Sequence, residues 1–413
     1  MRRFWIVALL CSGAIALHAQ PLQYELGDPP HNYWKRTPSD RFAKFRADLE
    51  AGRVVLDATS EKTYLVSLLR ALGISAATQT LVFSTTSLQL SLISPRNPRA
   101  IYFNEDVYIG FIPGGKIEVV SVDPDLGGVF YLFDIPRGGG VPRIERATRC
   151  MNCHAGEETG RVPGVLIKSV VPGPSGGSLE SFRQELMGHA VPLAERFGGW
   201  HVTGAGSFTN HWGNLIGRST PQGMVKIPIQ PGTQFSYARY PVATSDLLAH
   251  LLHEHQAGFV NRAVEATYRT RGYLDADKGQ LSAAHAADLD KQAHALARYI
   301  LFADEVSLPS GGVAGDVELK ADFLKSRRAT HAGASLKDLD LRTRIFKYRC
   351  SYMIYSAAFQ GLPPEMKQRV WRRLAEALDT AKPVAEYTYL PALEKQAIRQ
   401  ILRETLTDLP KGW

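Results

Sequence analysis

Five consecutive residues carry the most specific chemistry in the chain: Cys150-Met151-Asn152-Cys153-His154. Two thiols stand three positions apart and an imidazole follows at once. On one helical turn, positions three apart share a side. Two such thiols can add to the two vinyl groups on one edge of a porphyrin while the adjacent imidazole reaches the iron. The spacing therefore predicts one covalently attached haem c, with Cys150 and Cys153 as attachment points and His154 as the proximal iron ligand. A thioredoxin-like dithiol would sit at an early strand-to-helix junction, and a zinc ribbon needs a second cysteine pair. This motif instead follows Gly138-Gly139-Gly140 and Arg149, and no second pair exists. Arg149 is a candidate partner for a haem propionate, as are Arg96 and Arg99 around Pro98, because a guanidinium fork matches a carboxylate.

The other side of the iron decides the reaction class. A strong sixth ligand favours electron transfer, and an open position permits peroxide, oxygen or nitric oxide chemistry. His211 is the first distal candidate: in Asn210-His211-Trp212-Gly213-Asn214 it has a flat aromatic, a glycine and two amides around it. His255 is an alternative, since it shares an apolar helical stripe with Leu248, Leu251, Leu252 and Phe259. His189, in the stiff Gly188-His189-Ala190-Val191-Pro192 loop, is another, and Met187 and Met224 are thioether candidates. His250 and His253 fall off the stripe and are expected in solvent.

The compartment agrees with the chemistry. Arg2 and Arg3 precede an almost wholly apolar run from Phe4 to Leu17, and Ala19 offers a small residue before Gln20. That is the pattern of an export signal, 1–19, cleaved after Ala19. The run is shorter than the ~20 residues that span a bilayer. The expectation is therefore a periplasmic or otherwise exported protein with no membrane span in its mature form. Of four cysteines, Cys11 leaves with the signal and Cys350 remains as a buried free thiol. The formal charge is +8, two fewer once Arg2 and Arg3 depart, and no run of five like charges occurs. Nucleic acid is excluded as a partner on that pattern, and a redox partner protein is the expected one.

Around the motif the periodicity changes along the chain. Asp40 to Leu49 and Thr63 to Leu72 have helical spacing. Between Thr80 and Asp134 five short apolar runs alternate with turn signals such as Pro113-Gly114-Gly115 and Asp125-Leu126-Gly127-Gly128, which predicts an antiparallel meander. Helical spacing returns from Ser245, a plausible N-cap, over Asp246–Arg271, Leu281–Ala303, Leu336–Phe359, Pro364–Leu378 and Leu390–Leu406. The expected fold class is α+β: a β-rich haem-bearing region over 20–240, then a mainly helical region over 241–413 packed upon it.

Several blocks resemble one group of proteins. They are Ser94-Pro95-Arg96-Asn97-Pro98-Arg99-Ala100-Ile101-Tyr102-Phe103-Asn104, the cysteine motif, Phe197-Gly198-Gly199-Trp200-His201-Val202-Thr203-Gly204, His211-Trp212-Gly213-Asn214, Glu254-His255-Gln256 and Cys350-Ser351-Tyr352-Met353-Ile354-Tyr355-Ser356. Together they resemble large exported bacterial monohaem cytochrome c-like proteins without an assigned reaction. His201 stands where that resemblance would put Tyr, and Trp212 where it would put Met. The resemblance implies haem binding and electron transfer and names no substrate. The expected function is electron transfer by an exported monohaem c-type cytochrome. The alternatives are a haem enzyme of peroxidase or oxygenase type and a haem-based sensor with an open distal site.

Overall fold

The computed structural model describes residues 24–136, 138, 140–181 and 187–413, so the expected signal segment lies outside the described residues. Two helices come first, α1 (Arg41–Glu50) and α2 (Glu61–Ala71). Asp40 caps α1 by accepting from the amides of Phe42 and Ala43, and Tyr131 donates to its other oxygen at 2.6 Å, which ties the helix to the sheet. Ser60 and Thr63 close a capping box on α2.

The sheet follows as a meander of β1 (Thr80–Val82), β2 (Arg99–Phe103), β3 (Val107–Phe111), β4 (Ile117–Asp123), β5 (Gly127–Phe133) and β6 (Glu145–Arg146). After it come the short helix α3 (Met151–His154), the hairpin β7 (Val170–Pro172) with β8 (Ser178–Ser181), and β9 (Trp200–His201). β9 returns to pair with β1, giving a seven-stranded sheet in the order β6-β5-β4-β3-β2-β1-β9. A second hairpin joins β10 (Leu215–Thr220) to β11 (Gly223–Pro228). The rest is helical: α4 (Leu247–Ala276), α5 (Ala283–Ile300), α6 (Val317–Lys325), α7 (Ala357–Gln360), α8 (Pro364–Ala377) and α9 (Ala392–Thr405). The architecture is α+β, with a β-rich N-terminal half and a helical C-terminal half. Among the described residues no helix is long and apolar enough to cross a membrane.

Strand alternation gives the sheet two different faces. Leu81, Tyr102, Ile109, Val119 and Tyr131 join the core under α1 and α2, with Phe42, Leu65 and Leu68. The opposite face carries a row in which Phe103 opposes Tyr108, Tyr108 opposes Val120, and Val120 opposes Phe130. Its neighbouring row is Ile101, Gly110, Glu118 and Leu132. Helix α4 runs against this face. Gly127, at φ +72, fits there because a Cβ would come within 2.6 Å of Val264 and 2.8 Å of the Pro163 carbonyl.

Three expectations need correction. The N-cap of α4 is Asp246, which accepts from the Leu248 amide at 2.9 Å. Ser245 instead stitches α4 to the sheet, accepting from Leu81 N and donating to the His201 carbonyl. The stretch Leu336–Phe359 is mostly irregular, with only the four-residue α7 and a 3₁₀ turn at Tyr352–Tyr355. There Asp338 and Asp340 accept from the amides of Ser335 and Arg342, and such local bonds compete with a helix. Finally, His250 and His253 are 3% and 4% exposed, not in solvent. Twenty of the thirty residues of α4 are buried, so this helix has no single wet face.

Candidate haem-attachment site

The cysteine motif forms one tight turn. A 3₁₀ turn at Thr148–Cys150 runs straight into α3, and the Ala155 amide closes it on the Met151 carbonyl at 3.0 Å. Cys150 and Cys153 are free thiols, the first half-buried and the second exposed. Cys350 is the third free thiol and is buried in the helical half, as its apolar surroundings suggested. Burial pushes the Cys150 thiol up to about 11, with the charges of Glu118 and Cys153 adding to it. A catalytic dithiol or a thiolate metal ligand requires the opposite shift. Among the described residues no three His, Cys, Asp or Glu side chains are grouped to hold a bare metal ion.

His154 is held by its own chain. Its Nδ1 lies 2.9 Å from the Gly164 carbonyl, and the Gly164 amide donates back to the His154 carbonyl at 2.8 Å. With Nδ1 as the donor, Nε2 keeps its lone pair for a metal, which is how a ligating histidine is usually oriented. The imidazole rests against Phe130 on β5, ring centroids 4.7 Å apart. Burial is the main cause holding it below its usual range. The Arg99 guanidinium adds to this, while the Gly164 carbonyl and Glu118 oppose it.

The loop behind the imidazole is clamped from three sides. The Thr159 hydroxyl lies 2.9–3.1 Å from the carbonyls of His154, Gly156 and Val162. The Gly128 amide on β5 donates to the Pro163 carbonyl at 2.8 Å. Asn261 of α4 accepts from the Val165 amide at 2.8 Å and donates to the Val165 carbonyl at 2.9 Å. A Cβ on Gly164 would meet Asn261 Oδ1 at 2.4 Å, so glycine is required at this approach. Sequence reasoning passed over Thr159, Gly164 and Asn261. A Gly ten positions after the histidine carries no distinctive local signal.

The remaining candidates are scattered. Arg149 is exposed beside the motif, and Arg96 is exposed in its loop. Arg99 is part-buried and pairs with Glu118 at 2.8 Å, the two side chains meeting over Gly110 on β3. His189 and His255 hydrogen-bond each other through Nδ1 at 2.8 Å, and His255 Nε2 meets Ser351 Oγ at 2.7 Å. Both nitrogens of His255 are thus engaged. His211 sits in its loop between Phe197 and Phe208. Met187 precedes His189 half-buried, and Met224 lies exposed on β11. None of His189, His211 and His255 packs against the ring of His154.

Comparison of the chain with protein-family models, with curated proteins and with solved structures found no match in any of the three.

Proposed function

We propose that this chain is an exported monohaem c-type cytochrome that carries electrons, with haem c linked through Cys150 and Cys153 and His154 as proximal ligand. The observation that carries the reading is the orientation of His154. Its Nδ1 is committed to the Gly164 carbonyl, its Nε2 is left for iron, and two free thiols lie on the same turn. The donor set fits the group. One imidazole and two thiols make a poor site for a bare ion but a good one for a macrocycle that brings four nitrogens of its own. Bound there, the haem would supply one-electron redox chemistry. Arg99 and Arg149 are the nearest candidates for its propionates.

What the chain itself contributes is placement. The Gly164 carbonyl fixes the ring and the tautomer of His154, and through that bond raises the basicity of Nε2. The exposed Cys153 sets the attachment edge at the surface, where a redox partner protein can approach. The exposed Arg149 beside it favours an acidic partner face. The export signal read from Arg2 to Ala19 puts the chain where haem is attached to such motifs.

The test is direct. Purified full-length product should keep its haem through denaturation and acid-acetone extraction, and a pyridine haemochrome should report one haem per chain. Cys150→Ala/Cys153→Ala should lose it. Haem that extracts freely from the parent protein sinks the reading.

A further inference from the structure

Within that haem reading, on which this step rests, we infer that His253 is the second axial ligand, facing His154 across the iron. The two imidazoles lie over one face of the sheet. His253 stacks on Phe103 and Tyr108, centroids 4.9 and 5.6 Å away, and His154 rests on Phe130. Phe103, Tyr108, Val120 and Phe130 form a single cross-strand row. His253 therefore sits over β2 and β3 and His154 over β5, two or more strand spacings apart, on the order of 10 Å. A flat macrocycle with one imidazole on each side needs a separation of that order. Between them the next row has Gly110, whose missing side chain leaves the Arg99–Glu118 pair as the floor.

Within α4 the hydrogen bonds leave the same residue uncommitted. The other two histidines on this part of α4 are bonded: His250 to Ser245 Oγ and the His201 carbonyl, His255 to His189 and Ser351. His253 is 4% exposed and its ring makes no hydrogen bond among the described residues, though its nitrogens are not among the sealed, unpartnered polar atoms. An imidazole nitrogen that no protein group engages is free to serve as an iron ligand. His201 is also unpartnered and buried, but it packs on Phe83 and Phe235 on the other face of the sheet. His211 Nδ1 is likewise buried and unpartnered, but the ring is flanked by Phe197 and Phe208 and stacks on no residue of the Phe103–Phe130 row.

Helix α4 supports both sides at once. Asn261, which clamps the loop behind His154, lies eight residues beyond His253, about 12 Å along the helix axis. One rigid element would then fix the proximal clamp and the distal ligand together. Burial, then His250 and Arg99, holds His253 down to about 3, so it is a neutral donor at neutral pH.

The experiment uses full-length protein whose haem has first been shown to resist extraction. If the haem is not covalent, the parent reading has failed before any ligand is tested. With covalent haem, the oxidised parent should be low-spin and the reduced parent should ignore carbon monoxide. His253→Ala should turn the iron high-spin and open it to carbon monoxide, and free imidazole should restore the low-spin spectrum. His253→Met, the variant that keeps the volume of the site, should stay six-coordinate with a raised midpoint potential. A parent that is already high-spin overturns the assignment. So does a folded His253→Ala with an unchanged spectrum, a His253→Met with an unchanged potential, or the same high-spin change in His211→Ala instead.

Discussion

Asn261 offers the sharpest test of how the helical half supports the cysteine motif. Asn261→Ala removes two hydrogen bonds, of 2.8 and 2.9 Å, and leaves the amide and carbonyl of Val165 unpaired in the interior, where Asn261 and Val165 are each 5% exposed. An unsatisfied buried group costs ~1–3 kcal/mol, so the pair amounts to roughly 2–6 kcal/mol. With a urea slope near 3 kcal/mol per M, the unfolding midpoint should fall by about 1 M. Gly164→Ala drives a Cβ to within 2.4 Å of Asn261 Oδ1 and 2.9 Å of Thr159 Cβ, and overpacking of that kind costs ~1–3 kcal/mol. Because the Gly164→Ala clash falls on the very side chain that Asn261→Ala removes, the double variant should be less destabilised than the two singles combined. The assays are urea unfolding by far-UV circular dichroism and hydrogen exchange at the Val165 amide. With haem bound as proposed, the midpoint potential should also rise in Asn261→Ala, because a loosened Gly164 carbonyl makes His154 a weaker donor. Unchanged midpoints, or strict additivity of the two substitutions, would refute the clamp.

Three further outcomes follow from the helical half. Burial raises the Glu305 carboxyl to about 7, against the opposing Ile345 amide and Arg344, so the folded chain keeps a proton that the unfolded chain releases near pH 4.5. Its contribution to stability is present at low pH and is lost as pH climbs through 7. Thermal unfolding should therefore show Glu305→Gln matching the parent at pH 4 and exceeding it at pH 8, and identical differences at both would remove the argument. His255→Ala should leave the haem spectrum unchanged but strand His189 and Ser351, costing on the order of 3 kcal/mol in urea; a spectral change would reassign the residue. In Cys150→Ala/Cys153→Ala, Cys350 should react with a maleimide only after denaturation, since it is wholly buried and burial raises its thiol. Labelling in native buffer would place that core in error.

The motif and the meander were legible because their signals are local. Cys150, Cys153 and His154 share one turn because they lie within five consecutive positions, and β1 to β5 alternate between turns that Gly114 and Gly127 permit with φ of +81° and +72°. The N-cap of α4 was read one residue early, at Ser245, although Asp246 binds an amide only two residues on. Helix α6 was missed although Asp316 caps it by accepting from Leu319 N, because nine residues give too few turns for a periodic pattern to emerge. The segment after it failed the other way. Leu336, Ile345 and Phe346 are buried at apparently helical intervals but reach the core from a loop pinned by Asp338 and Asp340.

The histidines were the hardest to read, and the reason is a matter of packing. A one-stripe reading of α4 chooses His255 and discards His250 and His253, and that inference holds only when one side of a helix meets water. From Leu247 to Asn261 the only carboxylate or strong base is Glu254, and it is itself buried against Arg196 at 3.1 Å. A helix so poor in charge on every side is buried all round, and its histidines must then be sorted by their partners instead of their phase. Ser245, Ser351 and His189, which satisfy His250 and His255, lie 5, 96 and 66 positions away from the rings they bind. His253 is left facing Phe103 and Tyr108, contributed by strands ~150 residues earlier, where only the folded sheet sets its neighbours. For α4, then, the decisive quantity is which imidazole the fold leaves without a hydrogen bond, and that depends on contacts no local window of the chain contains.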